Sequence, residues 1–152
     1  MRVKLGVLAG IAAVAAVPAL AQESGPTITG TKGPDAVKGT SGAETLKGGK
    51  GNDKLRARGG DDTLIGGKGK DNLKASKGDD EAFGGKGPDT VNGGGGFDVL
   101  SGDAGSDVIR ARNGEPDEID CGDGNDRAIV DAEEDGVFDC ETLAEPAGAG
   151  QP

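Results

Sequence analysis

The sequence predicts an all-β fold: a parallel β-roll (a β-helix or solenoid) of about eleven nonapeptide units, 18 residues per turn, with a short disulfide-linked C-terminal cap. Three observations lead there. Residue types recur every nine positions from Gly30 to Ile129. Three columns of that period keep a fixed chemical character. And the chain holds little material for an ordinary layered core: 33% hydrophobic, 2% aromatic, with 31 Gly among 152 residues.

Cut from Gly30, the units read GTKGPDAVK, GTSGAETLK, GGKGNDKLR, ARGGDDTLI, GGKGKDNLK, ASKGDDEAF, GGKGPDTVN, GGGGFDVLS, GDAGSDVIR, ARNGEPDEID and CGDGNDRAI. The tenth carries one extra residue, Glu115 or Pro116, between Gly114 and Asp117. The fourth position is always Gly, from Gly33 to Gly124. The sixth is always an acid: Asp35, Glu44, Asp53, Asp62, Asp71, Asp80, Asp89, Asp98, Asp107, Asp117 and Asp126. The eighth is always aliphatic: Val37, Leu46, Leu55, Leu64, Leu73, Ala82, Val91, Leu100, Ile109, Ile119 and Ala128. Period of this length points to a stacked repeat array rather than to a disordered acidic chain.

Each element follows from that spacing. Three residues with one central aliphatic side chain read as a short strand with one inward position. The glycine-rich hexamer before it reads as a tight loop with uncovered carbonyls. Two loop-strand units close one flat turn, and successive turns stack as parallel sheets about 4.8 Å apart. The acids then form two columns. One holds Asp35, Asp53, Asp71, Asp89, Asp107 and Asp126; the other holds Glu44, Asp62, Asp80, Asp98 and Asp117.

Stacked carboxylates repel unless a cation lies between them. Carboxylates and loop carbonyls are the hard oxygen ligands that Ca²⁺ takes, six to eight at about 2.3–2.6 Å; Mg²⁺ demands a tighter octahedron. Nine pairs one turn apart set an upper bound of nine calcium ions. Glu44 is one methylene longer than Asp, and the pairs Asp98/Asp117 and Asp107/Asp126 span the insertion, so these are the weakest candidates. Taken singly, each acid is also an ordinary turn residue whose side chain bonds its own backbone.

The consensus G-G-x-G-x-D-x-U-x resembles the hemolysin-type calcium-binding nonapeptide repeat, the RTX repeat of secreted toxins and proteases. The resemblance covers nearly all of the chain after its first 29 residues. It implies that the ligands are the eleven sixth-position side chains and the loop carbonyls. The chain departs from such proteins in two ways: it starts with an N-terminal export signal, and no toxin, protease or lipase module accompanies the repeats.

That signal is residues 1–21. Arg2 and Lys4 precede an apolar run from Leu5 to Val17, too short to span a bilayer, and Ala19-Leu20-Ala21 is a small-x-small cleavage site. A mature chain would start at Gln22, with residues 22–29 leading into the roll. Export makes a Cys121–Cys140 disulfide the default for the two cysteines. A metal or redox pair is the alternative, without His or Cys-x-x-Cys to support it.

After Ile129 the repeat fades. Residues 130–145 read as the cap, covering the open end of the stack, and 146–152 as a disordered tail. Asp131 to Gly136 echo the start of an EF-hand loop, but the twelfth position is Thr142 rather than Glu. Lys32, Lys50, Lys68, Lys77 and Lys86 stand at the third position, either balancing the carboxylates or forming a solvated face.

The chain has no His and a net charge of −10, which excludes His-dependent catalysis and argues against a nucleic-acid partner. Charge is uneven: residues 30–92 carry 12 bases and 10 acids, residues 93–145 carry 3 and 16. The reading is a secreted, extracellular, non-enzymatic calcium-binding protein without a membrane span, whose β-roll folds on calcium. The alternative is an adhesive scaffold that calcium only rigidifies, with a surface or matrix polymer as its partner. Basic residues recur unevenly at the ninth position, at Lys38, Lys47, Arg56, Lys74 and Arg110.

Overall fold

In the computed structural model, described for residues 25–131 and 136–144, the nine-residue period becomes two facing parallel sheets. The strands run β1 (Thr27–Thr29), β2 (Ala36–Lys38), β3 (Thr45–Lys50), β4 (Lys54–Arg56), β5 (Thr63–Lys68), β6 (Asn72–Lys77), β7 (Glu81–Lys86) and β8 (Thr90–Gly95). They continue as β9 (Val99–Gly105), β10 (Val108–Ala111), β11 (Glu118–Asp120), β12 (Asp123–Gly124), β13 (Arg127–Val130), β14 (Gly136–Phe138) and β15 (Thr142–Ala144). Consecutive units alternate between sheets. The first sheet is ordered β1-β3-β5-β7-β9-β11-β14, with β12 also on β9; the second is β2-β4-β6-β8-β10-β13-β15.

Register follows the 18-residue turn. Leu46 pairs with Leu64 and Leu64 with Ala82 in the first sheet; Leu55 pairs with Leu73 and Leu73 with Val91 in the second. Across the insertion the partners are 19 apart, Leu100 with Ile119 and Ile109 with Ala128. The extra residue is thus absorbed in the loop, and no side chain changes face.

The eighth-position aliphatics fill the space between the sheets, and all eleven are buried. Ala57, Ala75, Ala111 and Cys121, each at the first position of a unit, and Val130, just after the eleventh unit, extend this narrow core. Strands this short give each nine-residue unit one or two inward apolar side chains, so leucine, valine and alanine suffice.

Pairing continues beyond the eleven units at both ends. Ile28 of β1 stacks on Leu46, and residues 27–29 act as the strand of a partial unit. Val137 of β14 follows Ile119, and Leu143 of β15 follows Ala128 after only 15 residues. The cap segment is built from further rungs of the same sheets. Its disulfide joins Cys121 and Cys140, 5.1 Å apart at Cα, and ties these last rungs to the turn before them. Among the described residues no helix is long and apolar enough to cross a membrane.

Candidate metal sites along the stacked loops

The loops stack closely enough to need bare backbone. Gly69, at a fourth position, has φ +136, and a Cβ there would lie 1.9 Å from the carbonyl oxygen of Gly51 one turn away. The second position also turns left-handed. Gly49, Gly67 and Gly85 supply it on one edge, where Asp103 (φ 67) also adopts it, and on the other Gly94 supplies it while Arg58 (φ 114) and Ser76 (φ 109) hold it against the usual preference of an L-residue.

All eleven predicted acids fall into the two expected columns. Asp53 Oδ1 accepts from the backbone N–H of Asp35 at 2.8 Å, and Asp71 Oδ1 accepts from the N–H of Asp53 at 2.7 Å. The series continues through Asp89, Asp107 and Asp126. On the other edge Asp62, Asp80, Asp98 and Asp117 accept from Glu44, Asp62, Asp80 and Asp98. The turn-residue reading, in which each acid bonds its own backbone, does not describe these bonds. One carboxylate oxygen does bond backbone, but the backbone of the neighbouring turn.

The second oxygen distinguishes the sites. Oδ2 of Asp53, Asp62, Asp71, Asp80, Asp89, Asp98, Asp107 and Asp126 is buried without a hydrogen-bond donor. Such an arrangement costs stability unless something positive meets it. On the first edge those of Asp53, Asp71, Asp89 and Asp107 lie against first-position glycines. A Cβ on Gly48 would sit 2.5 Å from Asp53 Oδ2 and 2.6 Å from the carbonyl oxygen of Gly66. On Gly66 it would meet the Gly84 carbonyl at 2.5 Å and Asp71 Oδ2 at 2.7 Å. Each cradle therefore combines a carboxylate oxygen and a carbonyl oxygen, with no side chain between. On the second edge Ala57, Ala75 and Ala111 carry a methyl at that position, while Gly39 and Gly93 leave it open beside Glu44 and Asp98, so the two edges are not equivalent.

The first two acids are different again. Thr31 donates to Asp35 Oδ2 from its backbone N–H and, at 2.9 Å, from its hydroxyl. Thr40 donates to both carboxylate oxygens of Glu44. Threonine at the second position, in place of glycine, thus satisfies the carboxylate from within its own loop. That signal was present in the two GT-initial units but went unread.

Electrostatics follows the same division. Desolvation, opposed by the backbone hydrogen bond from the turn before and reinforced by neighbouring acids, pushes Asp89 up to about 7. Desolvation likewise raises Asp62, Asp80, Asp98 and Asp107 to about 6, and Asp71 in the same direction. Glu44 goes the other way, lowered chiefly by the Thr40 hydroxyl. The raised carboxyls sit where their ionised form lacks a counter-charge.

The donor set suits a hard cation. Among the described residues no three His, Cys, Asp or Glu side chains converge on one point. An ion here would take most of its oxygens from loop carbonyls, which matches the mixed coordination of Ca²⁺ and not a thiolate or imidazole site.

Other residues were missed or lie elsewhere. Glu141 closes the first-edge column: its Oε2 accepts from the N–H of Asp126 at 2.7 Å. Its signal was legible, since Glu141-Thr142-Leu143 repeats Glu44-Thr45-Leu46. Asp61 and Asp79, at the fifth position, form an outer ladder through the N–H groups of Asp79 and Phe97 and add charge beside Asp62 and Asp80. The third-position lysines are exposed, and among the described residues none is ion-paired. The EF-hand-like segment falls largely on residues 132–135, outside the described residues.

A family model for the RTX calcium-binding nonapeptide repeat (4 copies) matches residues 27–55, 38–73, 65–100, 83–115 and 92–128. No curated protein and no solved structure gives a match.

Proposed function

Because the chain belongs to the RTX calcium-binding nonapeptide repeat family, a non-catalytic structural repeat, we propose that it is an exported module whose β-roll is completed by calcium held between stacked loops. The observation that carries this reading is the ladder of buried carboxylate oxygens without donors. Asp53, Asp71, Asp89 and Asp107, beside glycine cradles on the first edge, are its principal side-chain ligands. Asp62, Asp80, Asp98, Asp117 and Asp126 are further ligands. Asp35 and Glu44, already held by threonine, contribute least. Carbonyls of the first-position residues supply the remaining oxygens.

Calcium supplies counter-charge. The chain does the rest: glycine clears the space, Oδ1 locks each turn to the previous one, and Oδ2 faces the gap. Without an ion, like charges stack at about the strand spacing of 4.8 Å in a dry setting. A site with a dissociation constant near 10⁻⁴ M would gain roughly 1.4 kcal/mol at about 1 mM calcium. Several such sites decide whether a domain with so slim a core folds. Residues 1–21 direct export and are removed before Gln22, into a compartment where millimolar calcium and an oxidised Cys121–Cys140 pair coexist.

Circular dichroism of the mature chain during a calcium titration tests this. Calcium should produce a cooperative rise in β signal that chelator reverses. A spectrum fully β in chelator and unmoved by calcium would overturn it. The adhesive reading gains support from one further observation, the charge on the outer face of the second sheet.

A further inference from the structure

The strands β2, β4, β6, β8, β10 and β13 contain no Asp or Glu, in a chain with 27 acids and 17 bases. Their outward positions instead present Lys38, Lys54, Arg56, Lys74, Arg110 and Arg127, all exposed. Among the described residues none of the six has an ion-pair partner. Register stacks three of them directly: Lys38 on Arg56 and Arg56 on Lys74. Asn92 follows, then Arg110. Like charges in directly opposed positions destabilise a sheet, so this row carries a cost, and among the described residues the strands of this sheet hold no acid to offset it. The first sheet differs: its outer face mixes Lys47 with Glu81, Glu118 and Asp120.

We propose that this face is a docking strip for a single chain of a linear acidic polysaccharide bearing carboxylates on successive sugars. The shape argues for a thread. The strip crosses six strands over five rung intervals, about 24 Å at about 4.8 Å each, and in the other direction is only as wide as one three-residue strand is long. The charge pattern argues against a bilayer. Exposed acids, Asp61, Asp79 and Glu115, stand in the loops that leave this sheet after β4, β6 and β10, and an extended anionic plane broader than the strip would meet them as well as the lysines. Composition argues against single-stranded nucleic acid, because the strip itself carries no aromatic ring and the loop ladder that holds Asp61 and Asp79 adds only Phe97, too little for successive bases to stack on. A sugar polymer asks only for spaced cations on a rigid, flat support. Asn72 and Asn92, between the two basic clusters, add hydrogen bonding to hydroxyls.

The inference rests on the calcium reading in one respect: the strip exists only when the roll is folded. Calcium also neutralises the carboxylate columns at both edges, which lowers the repulsion a polyanion meets on approach.

The test uses the mature chain at about 1 mM calcium and an oligouronate of about six sugars, matched to the strip's ~24 Å. Binding is read by calorimetry and folding by circular dichroism on the same samples. The wild type should bind, more weakly as salt rises. The triple variant Lys38→Gln/Arg56→Gln/Lys74→Gln should bind at least about tenfold more weakly with an unchanged calcium-folding curve. The loop variant Lys50→Gln/Lys68→Gln/Lys86→Gln should bind like the wild type. Equal loss in both variants would mean diffuse attraction and overturn the strip, as would undiminished binding by the first. Tighter binding to anionic vesicles or to single-stranded DNA would overturn the choice of partner. A chain that stays unfolded in calcium defeats the calcium reading, and the dichroism reports that separately from the binding.

Discussion

The backbone N–H of Asp71 donates to Oδ1 of Asp89 at 2.7 Å, eighteen residues further on, while Oδ2 of each carboxylate is buried without a donor. The same side chain therefore does two jobs. One oxygen fixes the register of adjacent turns, and the other is left facing glycine and carbonyl oxygen. Removing the side chain breaks both. The consequences separate sites that are alike in sequence but unlike in surroundings.

Asp71→Ala should cost far more calcium than Glu44→Ala. Asp71 has column neighbours in Asp53 and Asp89, and its Oδ2 is free for an ion. Both oxygens of Glu44 are taken by Thr40. Calorimetric titration should show a reduced ion stoichiometry for Asp71→Ala and a near wild-type one for Glu44→Ala. Equal losses would show that the threonine-held acids also bind.

Gly66→Ala should weaken both fold and calcium binding. Backbone strain is not the cause. The new methyl would meet the Gly84 carbonyl oxygen at 2.5 Å and Asp71 Oδ2 at 2.7 Å, filling the space between two oxygens. Overpacking of this kind costs about 1–3 kcal/mol. The melting temperature in calcium should fall, and the titration midpoint should move to higher calcium. A variant as stable and as calcium-responsive as the wild type would mean that the first-edge cradles are not used.

Most of this architecture was legible in the sequence because the repeat leaves little freedom. Three columns in phase fix the strand positions, the 18-residue turn and the acids that stack. Even the insertion near Glu115 could be placed, since Gly114 and Asp117 bracket it. What stayed hidden depends on single substitutions inside the consensus. Threonine for glycine at Thr31 and Thr40 is a small change in letters, yet it supplies a hydroxyl that satisfies the carboxylate. Alanine for glycine at Ala57 and Ala75 fills one edge only. The rungs formed by Val137 and Leu143 were obscured because three residues are missing from the last turn and the fourth-position glycines no longer mark it.

Ser76→Gly should stabilise the protein. Ser76 is held at φ 109, a region that favours glycine, and its hydroxyl is buried without a partner. Glycine removes the strain and the unsatisfied group together, at the expense of a more flexible unfolded chain. The net gain should be about 1 kcal/mol in denaturant unfolding at saturating calcium. A loss of stability would imply that the hydroxyl makes a contact in the calcium-loaded state.

The C-terminal rungs should depend on the disulfide more than the rest of the roll does. Cys121 and Cys140 are 19 residues apart, and closing a loop of that size contributes roughly 3 kcal/mol in the chain-entropy model. The bridge also places Glu141, the residue after Cys140, where its carboxylate accepts the N–H of Asp126. Without it, that N–H loses its partner and the last turn loses the lid of its column. Thiol labelling of the denatured, unreduced protein should find no free cysteine; two reactive thiols per chain would refute the pairing. Cys140→Ser should then lower the melting temperature in calcium, and hydrogen exchange should rise first in β13–β15 while β3–β8 stay protected. Glu141→Ala, with the disulfide intact, should reproduce the faster exchange at Asp126 alone. If Cys140→Ser left the exchange of these strands unchanged, the last rungs would be held by sheet pairing rather than by the bridge.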